Sequence, residues 1–285
     1  MIFRRKWPNL EYDSGGKTLM EFKHTSVLYE EIIENLNIRP GGIYVDGTLG
    51  GGGHSAGICQ RLDHEGMLIG IDRDKDALQA AEQNLLHYNC KKHYVQENYE
   101  NIIEVLQQLN IEKIAGAVLD LGVSSFQLDN PERGFSYMHD GNLDMRMNAK
   151  DNLTAWQIIN EWEQDEIAGI IKNYGEDRWA SRIAQFIVEQ RKKEPVQTTY
   201  QLVDIIKAAI PASARREGPH PAKRTFQAIR IAVNDELGQL ERAVDQFIDA
   251  LVSGGRLCII TFHSLEDRIV KEAYRRRLDP CICPR

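Results

Sequence analysis

The chain has 285 residues, 42% of them apolar and 27% charged, which is ordinary globular usage and excludes a disordered or fibrous chain. The length suits one large α/β domain or two smaller ones, and no run of about 18 apolar residues exists to cross a membrane. With a formal net charge of −7, any nucleic-acid contact is restricted to local basic patches, because phosphates need cations.

Residues 1–23 form an N-terminal extension. No apolar stretch follows Arg4-Arg5-Lys6, so it is not a secretory leader. Ser14-Gly-Gly-Lys17-Thr18 resembles a phosphate loop, but Glu11 stands where that motif requires its first glycine. Five cysteines without regular spacing point to a reducing, cytoplasmic setting.

From residue 26 strands and helices alternate. Ser26–Leu36 has helical spacing, and Pro40-Gly41-Gly42 breaks it. Ile43–Val45 reads as a strand ending at Asp46, and a glycine-rich turn and helix follow. Met67–Ile71 is a strand ending at Asp72, with a helix over Asp74–Leu86. His93–Gln96, Ala115–Leu121 and Gly255–Phe262 complete five strands, with a helix over Ile102–Leu109. Apolar strands alternating with amphipathic helices predict a parallel sheet covered on both faces.

Between Leu121 and Gly255 lie 133 residues, whereas a crossover with its helix needs only about 30. Leu153–Tyr174, Arg178–Lys192 and Thr199–Ile210 read as helices, with Trp156, Trp162 and Trp179 as their core. Lys223–Val252 reads as one long helix returning to the last strand. The expected organisation is a discontinuous core, 24–140 and 216–285, interrupted by a helical insertion over 141–215. After a helix over Leu265–Arg277 the chain stops at Cys281-Ile-Cys283-Pro-Arg285, which suggests truncation. Cys281-x-Cys283 is half of a zinc site without its other half, so no bound metal is expected.

The stretch Asp46-Gly-Thr-Leu-Gly-Gly-Gly-Gly-His54 is the most informative. Glycines after a first strand let backbone approach a ligand closely. Gly51-x-Gly53-x-x-Ala56, with Asp72 21 residues on, fits a dinucleotide fingerprint. An NAD-dependent oxidoreductase is therefore one reading. Asp46 favours another, since a carboxylate before the glycines repels a pyrophosphate and suits a cation. S-adenosyl-L-methionine carries a sulfonium and an ammonium and no phosphate. Asp46, Asp72 and Asp120 are expected to rim one pocket at the carboxyl edge of the sheet.

Longer strings carry a resemblance. They are His24-Thr-Ser-Val-Leu28, Val45–Ser55, Ile71-Asp-Arg-Asp74, Leu119-Asp-Leu-Gly-Val-Ser-Ser125, Arg133-Gly-Phe-Ser136 and Leu143-Asp-Met-Arg-Met147. Lys223-Arg-Thr-Phe-Gln-Ala-Ile-Arg230 and Phe262-His-Ser-Leu-Glu-Asp-Arg268 complete the set. In these the chain resembles the RsmH (MraW) family of 16S rRNA cytosine-N4 methyltransferases. The resemblance implies a Rossmann-like, S-adenosylmethionine-dependent methyltransferase core with an inserted all-helical domain. It implies methylation of the exocyclic N4 amine of a cytidine in the decoding region of the small ribosomal subunit. A catalytically inactive RNA-binding module is the remaining alternative. The expected partners are 16S rRNA and, in a homodimer, a second copy of the chain.

By the same resemblance Gly52, Gly53, His54, Asp72, Tyr99, Asp120 and Gln127 match cofactor contacts. A residue is also needed to accept from the target amine as charge develops on N4. The candidates are Asp120, Ser124, Asp144 and His263. Ser124 could instead cap a turn, and Asp144 could pair with Arg146. Arg215, Arg216, Lys223, Arg224 and Arg230 are the expected RNA contacts, with Arg275–Arg277 as a further basic block.

Overall fold

The computed structural model describes residues 26–216 and 218–278. The N-terminal extension, His24-Thr25, Glu217 and the Cys281-x-Cys283 pair lie outside them. Helix α1 (Tyr29–Asn35) begins after Leu28, whose left-handed φ of 51° delays it relative to the predicted start at Ser26. Beyond Pro40-Gly41-Gly42 the apolar run Ile43–Asp46 is free to form strand β1. Helix α2 (Gly53–Arg61) follows the glycine turn. Strand β2 (Met67–Asp72) leads to helix α3 (Lys75–Leu85), whose first turn is capped by the Asp74 side chain. Strand β3 (Lys91–Gln96), helix α4 (Ile102–Gln108) and strand β4 (Ile114–Asp120) complete the first half.

With β5 (Leu251–Ile260) these make one sheet in the order β3-β2-β1-β4-β5, and every pairing is parallel. The chain steps outward from β1 to β3, then returns to the other side of β1 for β4. That reversal opens a crevice beyond the carboxyl ends of β1 and β4, where open α/β sheets bind ligands. The two faces carry separate cores, one around Ile69, Leu119 and Phe247, the other around Ile33, Tyr44 and Leu68. Strand β5 begins four residues before the predicted Gly255. Its pairing shifts register between Ile114 and Gly116, and this irregularity takes up the glycines at 254 and 255.

The helical part begins with the short α5 (Ser125–Asp129) and a 3-10 turn at Pro131–Arg133. Helices α6 (Ala155–Glu161), α7 (Gln164–Gly175), α8 (Ala180–Arg191), α9 (Thr199–Ala209) and α10 (Ala212–Arg215) follow. The predicted helix over Leu153–Tyr174 is two helices, because Trp162 turns extended at ψ 153°. The predicted Lys223–Val252 helix is also two, α11 (Lys223–Asn234) and α12 (Glu236–Ala250), broken at Asp235 with φ 49°. Helix α13 (Ser264–Leu278) ends the described chain.

This break moves the expected boundary at residue 216. Phe226, Ala228, Ile229 and Val233 of α11 are buried in the same core as Ile158, Ile171, Ile183 and Ile206. Helix α11 therefore belongs with the helical insertion, and only α12 returns to the sheet, packing Val244 and Phe247 onto it. Trp156, Trp162 and Trp179 pack at the periphery of the helical core, whose centre is aliphatic. No described helix is long and apolar enough to cross a membrane.

Candidate active site

The glycine turn is fastened from below. Asp46, at the end of β1, is buried; its Oδ2 accepts from Ser55 Oγ at 2.7 Å and its Oδ1 from Thr48 N at 3.2 Å. Burial pushes its carboxyl up, against the lowering effect of Ser55, His54 and Thr48. Asp46 is thus sealed beneath the turn and does not stand on the pocket rim as expected. The acids left at the carboxyl edge are Asp72 and Asp120.

Asp72, at the end of β2, accepts from Gly50 N through Oδ2 and from Asp74 N through Oδ1, each at 2.8 Å. Burial lifts its carboxyl to about 6, although the two amides pull it down. Each oxygen keeps a lone pair for a further donor. Gly52 takes φ 82° and is buried against Leu85 and Ala81 of α3, whereas a Cβ at Gly51 would meet nothing within 4 Å. The turn is therefore rigid at Gly52 and open at Gly51.

At the end of β4 the Asp120 amide donates to Thr48 Oγ1 at 2.6 Å. Its carboxylate Oδ2 lies 3.8 Å from Nδ1 of buried His54, whose Nε2 donates to the Val27 carbonyl at 3.0 Å. Oδ1 is buried without a hydrogen-bond partner among the described residues. Burial first, then the negative charges of Asp46 and Glu266, lift Asp120 to about 6 against the opposing influence of His54. An unpartnered carboxylate oxygen at a strand end is costly unless a ligand completes it.

Tyr99 begins a 3-10 turn beside Gly47, and burial together with Glu236, Glu266 and Glu100 pushes its phenol up. Ser124 and Gln127 form a capping box on α5. The Gln127 amide also donates to Asp74 Oδ2 at 3.3 Å. Both residues thus carry local structural duties at the crevice.

One catalytic candidate, Asp144, is occupied internally. Asp144 accepts from Arg146 Nε at 2.9 Å and from Nη2 at 2.7 Å, and also from the Arg146 amide. Burial raises its carboxyl, but these contacts outweigh burial and hold it low. His263 Nδ1 accepts from the Glu266 amide at 3.4 Å; its Nε2 lies 3.2 Å from the Glu266 carboxylate but is buried without a hydrogen-bond partner among the described residues. Glu266 in turn accepts from the amide of Phe262 at 2.7 Å, fixing the loop after β5.

The basic candidates divide. Arg215, Arg216, Lys223 and Arg224 are exposed, and Arg224 also donates to the Glu176 carbonyl at 2.7 Å. Arg230 is partly buried and forms a two-pronged pair with Glu236 through Nε and Nη2. Arg276 and Arg277 pair with Asp245, and Arg277 also with Asp249.

Sequence reading missed one connecting residue. Arg133 donates to Asp74 Oδ2 at 2.8 Å and to the carbonyls of Arg146 and Met147 at 3.0 Å. It ties the cofactor-side loop to the strap that enters the helical half. Its only sequence signal is its place in the Arg-Gly-Phe-Ser string.

Comparison with known proteins gives the same assignment independently. The family model described as "MraW methylase family" matches residues 21–285. The curated "Ribosomal RNA small subunit methyltransferase H" of Acetivibrio thermocellus is 58% identical over 93% of this chain and 86% of its own. The proteins of the same name from Ruminiclostridium cellulolyticum and Clostridioides difficile are 56% and 54% identical over 93% of this chain and 85% of theirs. A Rossmann-like parallel sheet, an acid-rimmed crevice that suits a cationic cofactor and a family match over nearly the whole sequence converge, and the chain belongs to the MraW methylase family of S-adenosylmethionine-dependent methyltransferases.

Proposed function

We propose that the protein methylates the exocyclic N4 amine of a cytidine in the 16S rRNA of the small ribosomal subunit. The observation that carries the reading is the unpartnered Oδ1 of Asp120, set at the end of β4 beside the glycine turn. The substrate class rests on the shared name of relatives more than half identical to the chain.

The residues present fit S-adenosylmethionine. Asp72 and Asp120 give the crevice a negative rim, and Gly51 leaves room for close approach to the backbone. Gly52, Gly53, Asp72, Tyr99 and Gln127 would hold the cofactor, with the free lone pairs of Asp72 taking its ribose hydroxyls. His54 packs behind the Asp120 carboxylate, its Nδ1 3.8 Å from Oδ2. When bound, the cofactor supplies an electrophilic methyl group on a sulfonium.

The cytosine amine is a poor nucleophile because its lone pair is delocalised into the ring. Asp120 Oδ1 accepts an N4 proton in a hydrogen bond, orients the lone pair and stabilises the positive charge that develops. A carboxyl lifted to about 6 is well matched to take that proton near neutral pH. Asp144, already neutralised by Arg146, and His263, turned to Glu266, shape the surroundings. Ser124 positions the loop below the base. The cytidine must leave its stack to reach this depth.

The test is radiolabelled methyl transfer to small subunits lacking N4-methylcytidine, with nuclease digestion to locate the label. Label on one cytidine N4, lost in Asp120→Ala while cofactor still binds, is expected. Label on another base, or full activity in Asp120→Ala, overturns the reading.

A further inference from the structure

A cavity of about 580 Å³ lies in the helical half, between the turn entering α8 and the short helix α10. Arg178, Trp179, Pro211, Ser213 and Ala214 line it. The Arg178 guanidinium carbon lies 5.1 Å from the centre of the Trp179 ring, giving the cavity a flat cationic-aromatic wall. Arg215 and Arg216 follow Ala214 directly and are exposed.

Several arginines of this acidic protein are held by carboxylates, as Arg230 is by Glu236, Arg242 by Glu100 and Asp235, and Arg277 by Asp245 and Asp249. Among the described residues no carboxylate pairs with Arg178, Arg215 or Arg216; Arg215 only donates through Nε to the Ile210 carbonyl. Unpaired cations gathered around an aromatic wall are a surface complementary to a polyanion with flat rings.

Position links the cavity to the chemistry. Glu176, two residues before Arg178, accepts from Ser264 Oγ at 2.7 Å. Ser264 follows His263 at the carboxyl end of β5. The wall thus stands one short turn from the lip of the catalytic crevice.

We infer that this cavity is a second nucleotide subsite, which takes one unpaired base of the RNA substrate on the Arg178–Trp179 wall with adjoining phosphate at Arg215 and Arg216. The inference rests on the RNA-methylating reading above. Turning a cytidine out of its stack leaves a neighbouring base without a stacking partner, and aromatic rings or guanidinium planes replace that partner in single-strand recognition. Arginine forks suit the phosphate that comes with it.

The experiment uses the full chain with a single-stranded RNA heptamer as probe, together with methyl transfer to small subunits. Arg178→Gln and Trp179→Leu are each expected to weaken heptamer binding roughly tenfold, and Trp179→Phe by no more than about threefold. KM for subunits rises in the same two variants, while kcat and cofactor affinity stay as in the parent. Unchanged heptamer affinity and KM in both variants, with rRNA methylation intact, removes the subsite and leaves the activity standing. Trp179-dependent heptamer binding in a protein that methylates no rRNA keeps the subsite and removes the reaction. An acidic heptapeptide that displaces the RNA at equal affinity, indifferent to Trp179→Leu, makes this a charge surface for protein and overturns the inference.

Discussion

Arg230 and Glu236 close on each other across the break between α11 and α12, with Nε to Oε1 at 2.8 Å and Nη2 to Oε2 at 2.9 Å. Both side chains are largely buried, so each depends on the other. Glu236→Ala leaves a buried guanidinium uncompensated and should cost about 3–5 kcal/mol in urea unfolding. A cost below about 1 kcal/mol would show that water reaches the pair. Arg230→Ala should likewise lower stability without reducing the salt dependence of RNA binding.

Asp120 should trade stability for function. Its carboxyl stands at about 6 in the folded chain, above the ordinary 3.8. The folded state therefore binds this proton more tightly, and the stability it confers is present below about pH 4 and lost as pH rises through 6. Asp120→Asn should raise the Tm of the cofactor-free protein at pH 7.5 by the equivalent of about 1–3 kcal/mol, with the gap closing toward pH 4. Methyl transfer in the parent should fall as pH drops through about 6. A Tm at pH 7.5 no higher than the parent's counts against this account.

Two adjacent glycines should fail differently. Gly52 sits at φ 82° with Leu85 3.2 Å from where a Cβ would lie, whereas Gly51 has open space. Gly52→Ala should destabilise the fold by about 1–3 kcal/mol through backbone strain. Gly51→Ala should keep the parent's melting curve and weaken S-adenosylmethionine binding. Calorimetric titration beside thermal melts separates the two, and equal cofactor affinity in Gly51→Ala would place the ligand elsewhere.

Arg133 should not be replaceable by lysine. Its fork spans the Asp74 carboxylate and two carbonyls of the strap, and a single ammonium lacks that geometry. Arg133→Lys should lose roughly 2 kcal/mol of stability. It should also raise KM for subunits more than the Kd for cofactor, since the strap leads into the helical half. An unchanged KM would confine Arg133 to a structural role.

Much of this was legible in the sequence because it is local. The strand-end acids, the glycine run and the alternation of strands follow from short-range pattern, and the oversized gap announced the insertion. The fate of each charged side chain was not legible. Arg230, Arg276 and Arg277 read as phosphate contacts, and only the fold brings Glu236, Asp245 and Asp249 to them. Asp46 read as part of the rim, but Ser55, one turn into α2, draws it inward. Periodicity likewise ran through Trp162 and Asp235, since a single residue's dihedrals can break a helix without disturbing the apolar repeat.

The placement of β5 after the whole helical insertion sets an order of assembly. Strands β1, β2 and β3 pair over short sequence separations and can form as the chain emerges, and β4 joins β1 over a longer one. The β4–β5 pairing closes a loop containing every residue between Asp120 and Leu251, and it is the slowest contact to find. Until then β4 has one unpaired edge beside the acids of the crevice. A helical insertion that folds early shortens the effective loop and brings α12 to the sheet, so a core mutation at Ile171 or Ile229 would be felt as delayed completion of a sheet that neither residue touches.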